Sequence, residues 1–209
     1  MKRRIAAVLI VGLAVALQGA PALAQAGPRE RVEAANRRIH ELVSKQAPQG
    51  SPAATQRDEA LRAIVNDLLD LDDMSRQALG RAWDERTEAE RRDYLEVMRQ
   101  LVERSYLRQA RERTQYTLTI GRVDVDAARN EATVETELRF QTRGRQETIE
   151  VVYTLARRNG LWKVTDIETD GASMVSNYRT SFRRILREEG FPELLSRMRR
   201  RLAEGETEL

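Results

Sequence analysis

From Tyr116 to Gly171 the chain reads YTLTIGRVDVDAARNEATVETELRFQTRGRQETIEVVYTLARRNGLWKVTDIETDG. Apolar residues recur there at every second position: Tyr116, Leu118 and Ile120, then Val134, Leu138 and Phe140, then Ile149, Val151, Tyr153 and Leu155. The positions between them carry Thr, Glu and Arg, as in Glu135, Glu137 and Arg139. A period of two marks strands that bury one face and wet the other. Leu161 to Ile167 makes a fourth such segment. Its link to the third contains Asn159-Gly160, a pair suited to the two positive φ angles of a type I′ turn. Thr142-Arg143-Gly144-Arg145 joins the second strand to the third. Four sequential strands with short turns predict an antiparallel meander that ends at Asp170-Gly171.

Outside this stretch the period changes to 3.6 residues, the helical repeat. Upstream, Arg29–Lys45 carries Val32, Ala35, Ile39 and Leu42 on one stripe, and Gln56–Leu69 carries Leu61, Ile64, Val65 and Leu68. The polar breaker from Gln46 to Pro52 separates them. Asp72 or Asp73 is expected to cap a short helix that stops at Gly80. Thr87-Glu88-Ala89-Glu90 is a capping box opening a long helix to Arg113, with Tyr94, Met98, Leu101, Val102, Ser105 and Gln109 inward. Downstream, Ser173–Glu189 is helical with Met174, Val175, Tyr178, Phe182, Ile185 and Leu186 inward. Gly190 stops it, and Phe191-Pro192 opens a last helix. Helices, four strands, helices: the order predicts an α+β fold with its helices on one face of a curved antiparallel sheet.

The chain has 209 residues, with 36 basic and 33 acidic side chains, one histidine and no cysteine. Lys2, Arg3 and Arg4 precede an apolar run from Ile5 to Leu17 and the small-residue site Ala22-Leu23-Ala24, the layout of a secretory signal. The run is shorter than the ~20 residues of a membrane span. Residues 1–24 are therefore expected to be removed after Ala24, leaving 25–209 as one soluble exported domain. Taking those three cations from the 36 leaves 33 basic against 33 acidic residues, so the exported chain is formally neutral. A nucleic-acid binder is not expected from such a balance. Without cysteine the fold rests on packing, with no disulfide and no thiolate chemistry.

Catalytic groups are sparse. His40 is the sole histidine, has no nucleophile-elbow serine to serve, and reads as a surface or helix-packing residue. Asp70, Asp72 and Asp73 lack the surrounding calcium-loop pattern and read as helix-capping groups, so no metal and no cofactor is expected. The pairs Glu135 and Glu137, and Glu147 and Glu150, fit a solvated sheet face. Arg197, Arg199, Arg200 and Arg201 complement the end of the last helix and form the most basic surface run.

From Trp162 the chain continues WKVTDIETDGASMVSNYRTSFRRILREEGFPELL. This resembles the signature of the MlaC family, periplasmic phospholipid-binding components also called toluene-tolerance auxiliary proteins. The resemblance rests on the strand-end Trp and Asp, the Gly-x-Ser helix start, Asn177-Tyr178-Arg179 with Phe182, and Gly190 before the last helix. Asp73-Met74, Leu79-Gly80, Trp83, Arg91 and Tyr94 extend it upstream. Thr165, where an aromatic is common, and Asp170, where Glu is common, depart from the pattern and bear on pocket shape and rim polarity.

The resemblance implies a nuclear-transport-factor-like cone with extra helices and no catalytic residues. It implies a monomeric periplasmic carrier that ferries glycerophospholipids between outer and inner membranes and so maintains outer-membrane lipid asymmetry. Its partners would be an inner-membrane ABC transporter with an MCE-type subunit and an outer-membrane lipoprotein complex. With the strand and helix alternation it assigns the acyl chains to Trp83, Met98, Val102, Leu138, Phe140, Val151, Tyr153, Trp162, Val164, Met174, Tyr178 and Phe182. Arg179 is placed at the headgroup rim, and Gly80 and Gly171 at hinges. Two other readings stand beside it: a ligand-free periplasmic adaptor, and a small cone-fold enzyme using Asp166.

Overall fold

The computed structural model describes residues 26–45, 47–112, 115–142 and 144–204. The expected export signal, its cleavage site and the end of the long helix at Arg113 lie outside them. Six α-helices and one five-stranded antiparallel sheet follow in the order α1 (Pro28–Val43), α2 (Pro52–Leu68), α3 (Leu71–Leu79), α4 (Glu88–Glu112), β1 (Tyr116–Asp126), β2 (Glu131–Thr142), β3 (Arg145–Arg158), β4 (Leu161–Thr169), β5 (Ala172–Ser173), α5 (Met174–Glu188) and α6 (Gly190–Glu204). A single 3-10 turn, Gly80–Trp83, joins α3 to the loop before α4.

The strands pair in chain order, β1 to β5. This is one strand more than the expected four, because Asp170-Gly171 turns the sheet rather than ending it. Asp170 and Gly171 have φ of 47° and 80°, the left-handed pair a tight hairpin needs, and they bring Ala172 and Ser173 back against Thr169 and Glu168. Asn159-Gly160 makes the predicted turn of the same kind, with φ of 50° and 83°.

Two irregularities curve the sheet. Between Ile120 and Val123 the pairing with β2 slips by one residue, and between Val164 and Asp166 the pairing with β3 does the same. Each inserts a residue that reverses which face the following side chains occupy. Strict alternation from Trp162 and Val164 would carry Asp166 to the inner face. The bulge at Thr165 instead opposes Ile167 to Tyr153 and Asp166 to Thr154, so Ile167 lies inside and Asp166 does not.

Of the two caps expected, one forms as expected and the other shifts. Thr87 and Glu90 form the capping box: the Glu90 carboxylate accepts from the Thr87 amide at 2.8 Å, and Thr87 Oγ1 accepts from the Glu90 amide at 3.3 Å. Ser51 caps α2, which therefore starts at Pro52 rather than Gln56. The cap of α3 is Asp70, not Asp72 or Asp73; its carboxylate accepts from the Asp73 amide at 3.1 Å. In α4 the buried residues are Tyr94, Val97, Met98, Leu101, Val102, Leu107 and Ala110 rather than one narrow stripe. The helix is covered on more than one side, by α6, α3, α2 and α1.

The helices approach the sheet at its two flanks, α1 over β1 and β2, and α2, α3 and α5 at β4. The outer edge of β4 is closed by β5 and by a bridge in which the Asp70 amide donates to the Val164 carbonyl at 2.8 Å, which removes an open edge. Arg31 pins this corner from within. It is 5% exposed, donates to the Trp162 carbonyl at 3.2 Å and pairs with Asp67 at 2.9 Å, tying α1, α2 and β4 together.

Candidate functional site

Strand register sets the inner face of the sheet out in rows. Val125, Ala132, Leu155 and Val164 lie abreast, then Val123, Val134, Tyr153 and Ile167, then Ile120, Thr136 and Val151, then Leu118, Leu138 and Ile149, then Tyr116 and Phe140. Along β4 this face is sealed: Leu155 and Val164 are fully buried beneath Phe182 of α5 and the rest of the main core. Toward β1 it is not. Leu118, Ile120, Val123, Leu138 and Ile149 are only half-buried although all face inward, Val125 at the β1 end of the first row is 53% exposed, and Tyr153 and, on β4 itself, Ile167 are half-buried as well.

Three tyrosines arch over this looser half: Tyr106 from α4, Tyr116 from β1 and Tyr153 from β3. Burial pushes the Tyr153 hydroxyl up to about 12. Burial, with the Tyr153 hydroxyl adding to it, pushes Tyr116 up to about 12 as well. Tyr106 is driven well above the usual range by burial and by both neighbours, so the three hydroxyls meet in one desolvated place. Yet Tyr106 and Tyr153 keep accessible surface. Tyr116 donates to Asn36 Oδ1 at 3.0 Å, which anchors this rim to α1.

The residues expected to meet acyl chains do not all fall together. Met98, Val102, Trp162, Val164 and Phe182 are buried in the main core, where Trp83, Tyr153, Met174 and Tyr178 pack against them half-buried. Leu138, Phe140 and Val151 lie outside that cluster, on the looser rows. Trp83 has a different setting: the guanidiniums of Arg76 and Arg91 lie over its ring at 5.2 and 5.1 Å, and its ring meets Tyr94 edge-on at 6.4 Å. Alternation alone did not single out Tyr106, which sits off the stripe read from the sequence, or Ile167, which the bulge turns inward.

The polar candidates have structural partners. Asp166 accepts from the Ile167 amide at 2.8 Å, the Val175 amide at 3.1 Å and Ser173 Oγ at 2.5 Å, and so fastens the start of α5 to β4. Asp70 and Asp73 both pair with Arg158 at 3.3 Å, and Asp72 pairs with Arg99 at 3.1 Å. His40 is exposed, with Tyr116 edge-on at 5.4 Å. In the basic run, Arg199 pairs with Asp93 at 3.1 Å and Arg197 with Glu193 at 3.0 Å. No cluster of metal-ligating side chains occurs among the described residues, and no helix among them is long and apolar enough to cross a membrane.

Two clefts open at the surface. One, of about 370 Å³, lies between α1 and the β1 edge and is lined by Arg29, Glu33, Asn36, Arg37, Leu118, Thr119 and Ile120. The other, of about 720 Å³, lies between the α3 end with its 3-10 turn and α5. Arg179 belongs to the second, where its Nε donates to the Gln77 carbonyl at 2.9 Å.

A family profile described as MlaC protein matches residues 33–200. No curated protein sequence matches the chain. Among solved structures, the phospholipid-binding protein from Ralstonia solanacearum, determined in complex with a phospholipid, superposes with a TM-score of 0.73 at 18% sequence identity, covering 86% of this chain and 99% of the other. At that identity the likeness is one of fold.

Proposed function

Because the chain belongs to the MlaC family, we propose that it is a phospholipid carrier, a binding and transport protein rather than an enzyme. The observation that supports this reading is the half-buried apolar face: Leu118, Leu138 and Ile149 lie in register on the inner face and are left only half-buried. Hydrocarbon needs such surface and nothing polar from it. Each buried methylene contributes roughly 0.8 kcal/mol, so two acyl chains resist entry into water by on the order of 20 kcal/mol. A protein that offers the chains this face removes that barrier. The acyl chains then lie along Leu138, Phe140, Val151 and Tyr153, with Tyr106 above and Met174 and Tyr178 at the side. Trp83, Phe182 and Val164 hold the frame. The headgroup stays near solvent at the rim, with Arg179 as a rim contact.

The wider setting proposed with it is export to the periplasm with a cut near Ala24, a single domain over 25–209, and exchange of lipid between an outer-membrane lipoprotein complex and an inner-membrane ABC transporter with an MCE-type subunit. The formal neutrality of the exported chain suits a carrier that visits two anionic membranes without adhering to either.

Organic extraction of the purified protein, followed by lipid mass spectrometry, tests the cargo. Phospholipid is expected in the extract; its absence, with failure to load from vesicles, would sink the reading. Leu138→Trp fills the loose row and is expected to abolish loading. It should shift Tm by less than about 4 °C, the change that about 1 kcal/mol brings at this size.

A further inference from the structure

The larger cleft gathers cations without acids. Some arginines elsewhere are met by carboxylates, as Arg158 is by Asp70 and Asp73 and Arg99 is by Asp72. Here Arg81, Arg179, Arg183 and Arg187 line one cleft with Leu79, Gly80, Ala82 and Leu186, and no acidic residue is among them. Arg81 and Arg183 are exposed and have no carboxylate partner among the described residues. Arg187 pairs only with Glu188, at 3.1 Å, outside the lining. In a chain whose exported form is formally neutral, this is a local excess of positive charge over an aliphatic floor.

The spacing identifies the occupant. Arg179, Arg183 and Arg187 follow one another at four-residue intervals on α5, about 6 Å apart along the axis and about 12 Å overall. Arg179 is held at one end by its bond to the Gln77 carbonyl, so the row does not collapse onto one point. A single phosphate is too small to bridge it. Alternate side chains of an extended peptide are ~6.8 Å apart, which matches the row, and guanidinium forks engage carboxylates in pairs. Leu79, Ala82 and Leu186 offer an aliphatic side chain its place between them.

We propose that the cleft between α3 and α5 is a docking groove for an acidic, extended segment of a partner protein, with carboxylates at alternate positions and an aliphatic residue among them. This goes beyond the lipid reading, with which it shares Arg179; the variants tested are therefore Arg183 and Arg187, which the lipid reading does not use.

The test uses the exported chain and a fluorescein-labelled dodecapeptide alternating glutamate with leucine or serine, followed by anisotropy. Saturable binding is expected at about 0.1 M salt and its loss at about 1 M, as the screening length falls from ~10 to ~3 Å. Arg183→Gln with Arg187→Gln is expected to weaken binding roughly tenfold, equivalent to about 1.4 kcal/mol. Arg199→Gln, whose partner is Asp93, is expected to leave binding unchanged. On the wild-type chain, hydrogen exchange with peptide present is expected to slow in α5 and the Gly80–Trp83 turn, a readout independent of whether the double variant folds. Unchanged affinity in a folded double variant, or protection confined to another face, overturns the proposal. So does displacement of the peptide by inorganic phosphate at fixed ionic strength, which makes the cleft a small-anion site. Tighter binding of anionic phospholipid vesicles than of peptide through the same arginines overturns it in favour of a membrane contact.

Discussion

Ala132, Leu155 and Val164 stand abreast on the sheet with at most 4% of their surface exposed, while Leu118, Leu138 and Ile149, three rows along on the same face, all remain half-buried. Both rows are apolar and both point inward. The difference lies in what covers them. At β4 the helices α2, α3 and α5 make contact, and Leu155 and Val164 share one buried cluster with Tyr94, Phe182, Leu194 and Met198. Leu118, Leu138 and Ile149 belong neither to that cluster nor to the smaller one around Val43 and Leu61. One region uses its apolar surface to hold the fold, and the other is the surface proposed above for the acyl chains.

The largest effect should separate the two regions by stability. Phe182 is fully buried, with Tyr94 edge-on at 6.0 Å and Tyr178 at 5.6 Å. Phe182→Ala should cost about 3–5 kcal/mol in urea unfolding, the usual toll of an emptied aromatic site. Leu138→Ala, on the loose row, should cost about 1 kcal/mol, because little packing is lost where little exists. Equal losses at both positions would mean that the rows are packed alike and that the contrast is wrong.

A smaller effect should appear in alkali. Tyr116 and Tyr153 are each held at about 12 by burial. A proton held more tightly in the folded state favours that state fully below the unfolded tyrosine value near 10, and the advantage is lost as pH rises toward about 12. Stability is therefore expected to decline across that interval, and Tyr153→Phe should flatten the decline. Tyrosinate absorbance gives the check. Lipid bound against Tyr153 should raise its titration further; a titration unmoved by lipid would place the cargo elsewhere.

The meander, the six helices and the Thr87 capping box were readable because each rests on local signals: a period of two, a period of 3.6, a cap, an Asn-Gly turn. What escaped was non-local. A bulge at Thr165 leaves no mark on an alternating pattern, so Asp166 read as inward and Ile167 as outward, whereas register against β3 reverses them. Asp170-Gly171 carried a hairpin signal, but the short β5 it creates has only two residues in which to show alternation. Tyr106 was invisible because α4 is buried on more than one side and presents no single stripe. The arginine row on α5 was present as a four-residue spacing, yet only the opposing wall around Gly80 makes it a cleft.

The smallest effects concern motion between the two regions. Gly80 and Gly171 both have positive φ, 61° and 80°, and an added Cβ at either meets nothing within 4 Å. Alanine there costs backbone strain alone, about 1–3 kcal/mol. Their surroundings differ. The turn at Gly171 is bolted on both sides of Glu150: the Asp170 amide donates to the Glu150 carbonyl at 3.0 Å, and the Glu150 amide donates to the Asp170 carboxylate at 3.0 Å. Gly80, with ψ of −138°, closes α3 where no such pair of bonds fixes it. If the helical layer swings away from the sheet to admit a lipid, the swing should use Gly80. Gly80→Ala should slow lipid uptake from fluorescent vesicles with the bound amount at equilibrium unchanged, and Gly171→Ala should lower Tm with uptake as fast as in the parent. Slowed uptake in Gly171→Ala alone would move the hinge to the sheet edge and with it the opening through which the loose rows are reached.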